Sequence, residues 1–266
     1  MRIWLANVDA IFRRELRSYL GAPRFYVAAG VFWLLAGSLF VALLYRLISE
    51  LAGLDLQVSR LGGGQPVDAA FALQQSFLGI LGFLMLLVMP LLSMGLYADE
   101  RRQGTLELLA TSPLANSAVA VGKWAAALTI TLGLILPMGL VEAIALAAAD
   151  PPITLGPFLL GYVGLLLLCG AVLALGMFVS SLTRSTLVAA LLTLVLLLGL
   201  WGLEGLLGSA TGPLADALVQ LSLLRQYNRW VLGVFDSSSL VILISWTLLG
   251  LMLTAQSIRA LRYRRP

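Results

Sequence analysis

Histidine is absent from this 266-residue sequence, and cysteine occurs once, as Cys169. Without imidazoles or clustered thiols, the chain lacks the usual ligands of zinc and haem iron, and it lacks the base of a His-dependent catalytic triad. The single cysteine has no partner for a disulfide within the chain and is typical of a small buried apolar residue. The sequence therefore predicts no catalytic residues, no bound cofactor and no metal site.

Charge is also scarce. Charged residues make up 11% of the chain and hydrophobic residues 60%, and the mean hydropathy is +0.98. Because soluble globular domains carry about 25% charged residues, this composition cannot cover a soluble globule. The chain is predicted to be an integral membrane protein that contacts lipid and binds no nucleic acid.

The apolar residues are concentrated in six long runs. A helix needs about 20 apolar residues to cross the hydrocarbon core, and each run supplies one such helix. We therefore predict an all-α fold in which residues 1–266 form one transmembrane domain. The predicted spans are residues 25–46, 75–98, 121–148, 158–182, 185–207 and 238–260.

The basic residues indicate the orientation of these spans. If the N-terminus is inside, thirteen of the 17 basic residues lie in inner segments, and four lie in outer ones: Arg46, Arg60, Arg225 and Arg229. Basic residues accumulate on the cytoplasmic side of membrane proteins. We therefore expect a multi-pass protein of the cell (inner) membrane with both termini in the cytoplasm.

The N-terminal residues 1–22 have the pattern of an amphipathic helix rather than of a cleaved signal. A signal peptide has a short basic region, an apolar stretch and a cleavage site, in that order. This segment mixes charged and apolar residues and does not show these three regions. The pattern predicts a helix lying flat in the inner interface. Its apolar side comprises Leu5, Val8, Phe12, Leu16 and Tyr19.

Residues 99–113, between the second and third predicted spans, are the most densely charged stretch of the chain. Gly104 can end the helix that descends from the second span, and Thr105 can cap a new one with Glu107 in its first turn. Ser112 and Pro113 would end that short helix. From the residues alone, a helix that docks on a partner and a plain polar loop are equally favoured.

Two carboxylates lie at predicted membrane depth, Glu142 in the third span and Glu204 in the fifth. Charged groups there usually face protein or a water path, so both are candidates for a pathway or gate, unless they lie near enough to the interface to be solvated. Residues 211–236 precede the last span and have helical periodicity but are too polar and too short to cross. We predict short re-entrant helices there, with Asp216 and Arg229 as further gate candidates.

The charged segment carries a family resemblance. Residues 100–113, ERRQGTLELLATSP, resemble the hallmark of ABC-2 type permeases, in which an acidic and basic pair precedes Gly-Thr-x-Glu-x-Leu-Leu and a Ser/Thr-Pro end. The position after the second of six spans also resembles that family. The resemblance implies a coupling helix that binds an ATPase, and the coupling residues it implies are Glu100, Arg101, Arg102, Gly104, Thr105, Glu107, Leu108, Ser112 and Pro113.

A second, weaker resemblance lies near the C-terminus. Residues 226–236, QYNRWVLGVFD, together with the last span and the basic tail, are similar to the gliding-motility and nitrous-oxide-reductase-maturation branch of these permeases. Together the two resemblances cover the layout of the whole chain.

The family resemblance implies an ATP-driven exporter in which this chain is the permease. Two cytoplasmic ATPase subunits would bind ATP and magnesium, because this chain has no G-x-x-x-x-G-K-[ST] loop of its own. The permease would pair with a second copy or a related permease through the first and fifth spans, at Gly30, Gly37, Gly199 and Gly202. The alternative is a membrane anchor or assembly scaffold that transports nothing. An intramembrane enzyme is disfavoured because no nucleophile has a base.

Overall fold

A computed structural model describes residues 2–61, 68–104, 115–149, 154–207, 212 and 218–263. Within these ranges, the side chains of residues 24, 51–52, 54–61, 203–207 and 261–263 are not described. The described residues form helices and turns without a strand. The helices are α1 (Arg2–Leu20), α2 (Pro23–Leu61), α3 (Ala69–Ser93), α4 (Gly95–Arg102), α5 (Asn116–Ala147), α6 (Leu155–Leu182), α7 (Thr186–Leu207), α8 (Leu223–Val231) and α9 (Ser237–Tyr263).

Several of these helices are long and apolar enough to cross a membrane. Five such stretches lie in the described part of the chain: Phe25–Glu50, Ala69–Arg102, Asn116–Ala147, Leu155–Leu182 and Ser237–Ala260. A sixth apolar stretch, Thr186–Gly202 in α7, is shorter. The chain is therefore a multi-pass membrane protein whose described part is helical, and the count of six spans stays a prediction.

Helix α6 is the centre of the bundle. It contacts α3, α4, α5, α7, α8 and α9. Small residues along it permit these contacts: a Cβ on Gly164 would lie 2.5 Å from Trp230 Cβ, and a Cβ on Gly161 would lie 2.3 Å from a methyl carbon of Leu78. Close approach of helices through small residues is a common way to pack them in lipid, where no hydrophobic effect drives helices together.

Helices α2 and α7 lie at the edge of the bundle. Only one side of each is buried, with Phe32 and Phe40 pointing inward from α2 and Thr193 and Leu197 pointing inward from α7. The opposite sides are exposed and apolar. These outward sides are therefore apolar surfaces that are open to lipid or to another membrane protein.

Polar side chains begin two of the helices. The Asp68 carboxylate accepts a hydrogen bond from the backbone N–H of Phe71 at 3.0 Å and so caps α3. The Ser222 hydroxyl accepts from the backbone N–H of Arg225 at 3.4 Å and caps α8. Each cap satisfies a donor that the first turn of a helix leaves free.

Candidate functional site

Three helices meet at a buried lysine, Lys123, in the second turn of α5. Its ammonium group lies 2.7 Å from Glu15 Oε1 on α1 and 2.9 Å from Glu100 Oε1 on α4. It also lies 5.2 Å from the centre of the Tyr97 ring, within the range of a cation–π contact. Two carboxylates and a ring thus surround one cation, and we call Lys123, Glu15 and Glu100 the ion cluster.

The ion cluster joins parts of the chain that are distant in sequence. Glu15 is 108 residues from Lys123, and Glu100 is 23 residues from it. Gly122 allows α1 to come this close, because a Cβ at that position would lie 2.9 Å from a methyl carbon of Ile11 and 3.0 Å from the Val8 carbonyl oxygen. The Trp4 indole also donates to the Ser117 hydroxyl at 3.3 Å. Helix α1 therefore lies against the first turns of α5.

Helix α4 is separated from α3 by the side chain of Ser180. The Ser180 hydroxyl donates to the Met94 carbonyl at 2.6 Å and accepts from the backbone N–H groups of Tyr97 and Ala98, at 3.2 and 3.0 Å. A side chain that inserts into the helical hydrogen-bond ladder breaks the helix at that point. Here it produces a short separate helix that α6 holds directly.

The far end of α4 is also fixed. The Arg101 guanidinium donates to the Ser181 carbonyl at 2.9 Å, and Arg102 pairs with Asp99 at 3.3 Å. The helix ends at Arg102, and Gly104 follows with a left-handed φ of +74°. Glycine at that place is a common helix terminator because it lacks the Cβ that would clash.

The structure places the predicted coupling residues in two groups. Thr105, Glu107, Leu108, Ser112 and Pro113 lie outside the described residues. The others are described: Arg102 and Gly104 are exposed, Arg101 is half-buried, and the Glu100 side chain is 16% exposed and points to Lys123. Glu100 is therefore part of an internal contact rather than of an open surface.

The gate candidate Glu142 is fully buried in the bundle at 0% exposure. Its Oε2 accepts a hydrogen bond from the Tyr162 hydroxyl on α6, and its Oε1 has no partner among the described residues. Tyr162 in turn packs against Gly139, where a Cβ would lie 3.1 Å from the ring. The buried carboxyl therefore links α5 to α6 by one hydrogen bond.

The other gate candidates differ in what can be said of them. Glu204 belongs to α7, but its side chain is not described. Asp216 lies outside the described residues. Arg229, on α8, pairs with Asp236, which also accepts from the Ser239 hydroxyl at 2.9 Å. Arg229, Ser239 and the Ser238 backbone N–H hold the pKa of the Asp236 carboxyl below its usual range.

A buried polar contact fastens the same turn to the last helix. The Gln226 side chain, on α8, accepts from the Ser239 hydroxyl at 2.8 Å and donates to the Gln220 carbonyl at 2.6 Å. Tyr227, its neighbour, donates to the Leu78 carbonyl of α3 at 2.7 Å. Helix α8 is thus held to α3 and α9 by side chains that sequence reasoning did not single out.

The four predicted interface glycines have open space where a side chain would lie. Among the described residues, a Cβ built on Gly30, Gly37, Gly199 or Gly202 would meet nothing within 4 Å. They lie on α2 and α7, whose outward sides are apolar.

A family model described as ABC-2 family transporter protein matches residues 10–260. The chain belongs to this family. It is therefore a membrane component of an ABC transporter, a class that works with ABC ATPase subunits and generally has no ATPase site of its own. No curated protein matches the chain.

The family assignment bears on the ion cluster of this permease. Its members stand on both sides of the segment that resembles a coupling helix, Glu100 before it on α4 and Lys123 after it on α5. Within the described ranges, no three acidic or thiol groups gather closely enough to hold a metal ion. The three charged groups of the ion cluster hold α1, α4 and α5 against one another.

Proposed function

We propose that this chain is the permease subunit of an ATP-driven exporter and that residues 105–113 form its coupling helix. Closure of two ATPase subunits pushes on this helix, which tilts the second and third spans and opens a path at a homodimer interface. Both termini are cytoplasmic. The similarity of residues 226–236 supports placement in the gliding-motility and nitrous-oxide-reductase-maturation branch.

The observation that supports this proposal is the way in which neighbouring helices hold α4. This helix leads directly into the coupling segment, and it is held at one end by Ser180 and at the other by Arg101 and Glu100. A short helix that is broken from α3 but fixed to α6 and α5 transfers a displacement to those helices. A flexible polar loop would absorb the displacement instead.

The proposed dimer interface rests on the open glycines. Gly30 and Gly37 lie one heptad apart on α2, while on α7 Gly199 is exposed and Gly202 is half-buried. Had these glycines served packing inside one subunit, their Cβ positions would be occupied, as they are at Gly161 and Gly164. The free positions fit close approach of a second permease.

Interfacial placement of α1 is also part of the proposal. The helix has no fully buried residue, and its Arg2, Arg13 and Arg17 side chains are exposed on the side away from α5. Basic residues beside an apolar body are typical of helices at the inner membrane surface. This placement keeps α1 next to the ATPase contact.

A charge reversal in the coupling segment tests the function. We expect E107K to weaken binding of the ATPase subunits more than about tenfold while membrane insertion is unchanged, because loss of a buried charge pair costs about 2–5 kcal/mol. The measurement is the ATPase concentration needed for half-maximal binding to purified permease.

The matched control is D9K, which makes the same charge change at an exposed site on α1, where Asp9 pairs with Arg13 of the same helix. It should bind the ATPase normally. Equal affinity of E107K and native permease would remove the coupling helix from the account. Normal ATPase binding with ATP hydrolysis that is independent of the permease would favour the scaffold alternative.

A further inference from the structure

In the sequence, members of the ion cluster lie on both sides of the coupling segment. Glu100 precedes residues 105–113 in the sequence and Lys123 follows them, so their contact joins the helices on either side of that segment. Glu15 adds α1 to the same point. One ammonium group therefore ties the N-terminal helix to both ends of the segment that would bind the ATPase.

The ion pairs of Lys123 with Glu15 and Glu100 are shielded from solvent. Lys123 is 2% exposed, and its partners are largely covered. An ammonium has three donors, and here two point to carboxylates while the Tyr97 ring covers another side. Breaking such a buried pair leaves an uncompensated charge, so the helices that carry the three groups resist separation.

A comparison within α1 shows that this burial is particular to the ion cluster. Asp9 and Arg13 form an ion pair on the same helix, but their side chains are 55% and 68% exposed. Exposed pairs contribute little to stability, whereas buried ones strongly constrain the groups that form them. The chain thus contains its own control for the effect of an ion pair on α1.

We propose that Lys123 is a positioning residue that fastens α1 and α4 to α5, so that α1 moves with the coupling segment as one body. The proposal rests on the proposed function, since it assigns α1 a part in receiving the push of the ATPase. Glu15 is the connection to α1, and Glu100 is the connection to α4. Loss of Glu15 should leave the ATPase bound but its activity uncoupled from the membrane helices.

The test compares E15Q with D9N in the complex of permease and ATPase. E15Q should retain the ATPase at the native ratio, and the permease-dependent ATP hydrolysis should fall by about tenfold or more, as expected for loss of a buried charge contact. D9N should stay within about twofold of native, as expected for an exposed pair.

A reversible crosslink separates positioning from general damage. A Cβ on Gly122 would lie 3.0 Å from Ile11 Cβ, below the about 3.5–4.5 Å of a disulfide, so a bond between cysteines at these positions forms with a small outward shift of α1. In a Cys169→Ala background, E15Q combined with I11C and G122C should regain hydrolysis on oxidation and lose it again on reduction. The same disulfide should not restore E100Q, because it does not reach α4.

The proposal is overturned by native hydrolysis in E15Q, by loss of the ATPase from E15Q, or by no recovery when the disulfide forms. The crosslink also tests, in the permease without ATPase, whether Glu15 holds α1 against α5. Disulfide yield of I11C with G122C should fall in E15Q but not in D9N, and equal yields would show that Glu15 does not hold α1. Failure of the native permease to bind an ATPase would instead refute the proposed function.

Discussion

Lys123 shows, at the scale of single residues, what sequence reasoning missed. In the sequence it counts only as one of the basic residues of the inner side. Its partners Glu15 and Glu100 come from separate helices, and no local pattern connects them. The usable signal was a lysine in the second turn of a span, where a charge needs a partner because water is scarce.

Glu142 was found from the sequence, because a carboxylate inside an apolar run is costly. The sequence left open whether it is solvated, and the structure buries it completely. Its partner Tyr162 was not predicted, since a tyrosine in an apolar span is usually a packing residue. The role of Glu142 in a pathway or gate stays a prediction.

Two glycines one turn apart on α3 give a stability test at this scale. A Cβ on Gly82 would lie 2.3 Å from the Tyr227 ring, whereas a Cβ on Gly79 would meet nothing within 4 Å. We expect G82A to lower the free energy of unfolding by about 1–3 kcal/mol, since overpacking displaces the ring and its hydrogen bond to the Leu78 carbonyl.

G79A is the matched control and should be neutral or slightly stabilising, because alanine favours helix more than glycine does. Thermal unfolding in detergent, monitored by tryptophan fluorescence, measures both variants. Equal stability of G82A and G79A would mean that α8 is not packed on α3 as described.

The break between α3 and α4 shows, at the scale of helices, which features the sequence predicts and which depend on tertiary contacts. Gly104 was identified from the sequence as a helix terminator, and it follows the end of α4. The break itself lies at Met94, because Ser180 of α6 takes the backbone groups there. That serine is more than eighty residues away, so tertiary structure, not local propensity, sets the position.

The turn between α8 and α9 should respond to acid. Asp236 has a lowered pKa because it accepts hydrogen bonds from Arg229, Ser239 and the backbone of Ser238. A carboxyl whose pKa is lower in the folded state adds stability above its unfolded pKa of about 3.9, and that contribution is lost as the pH falls through the folded value.

The stability difference between the native chain and D236N should therefore be largest near neutral pH and shrink below about pH 4. Hydrogen exchange at the first amides of α9, measured across this range, follows the turn directly. Serving as the control, D9N removes an exposed carboxylate on α1 and should leave that exchange unchanged. A native–D236N difference that grows towards low pH would contradict the assignment.

At the scale of the whole molecule, composition was enough to predict a helical membrane protein, because so few charges cannot cover a soluble fold. Apolar runs also placed helices, although α2 continues to Leu61, well past the predicted span 25–46. A hydropathy pattern reports where a helix enters lipid, not where its hydrogen bonding stops. The central position of α6 could not be predicted, since its sequence is apolar on every side.

The proposed interface between subunits rests on glycines whose packing role cannot be predicted from the sequence. Glycines are frequent in α6 and in α2, and the sequence does not tell which of them pack within the subunit. The structure separates them: Gly164 and Gly176 are filled by Trp230 and Ser93, while Gly30 and Gly37 stay open. Only the open ones are available to a second subunit.

Native mass spectrometry tests the central claim most directly. Permease purified through its own tag in a mild detergent from its native membrane should yield one complex of two permease and two ABC ATPase subunits. ATP analogues should preserve that stoichiometry. A permease that appears as a monomer without any bound ATPase, under conditions in which the fold is intact, would contradict the account.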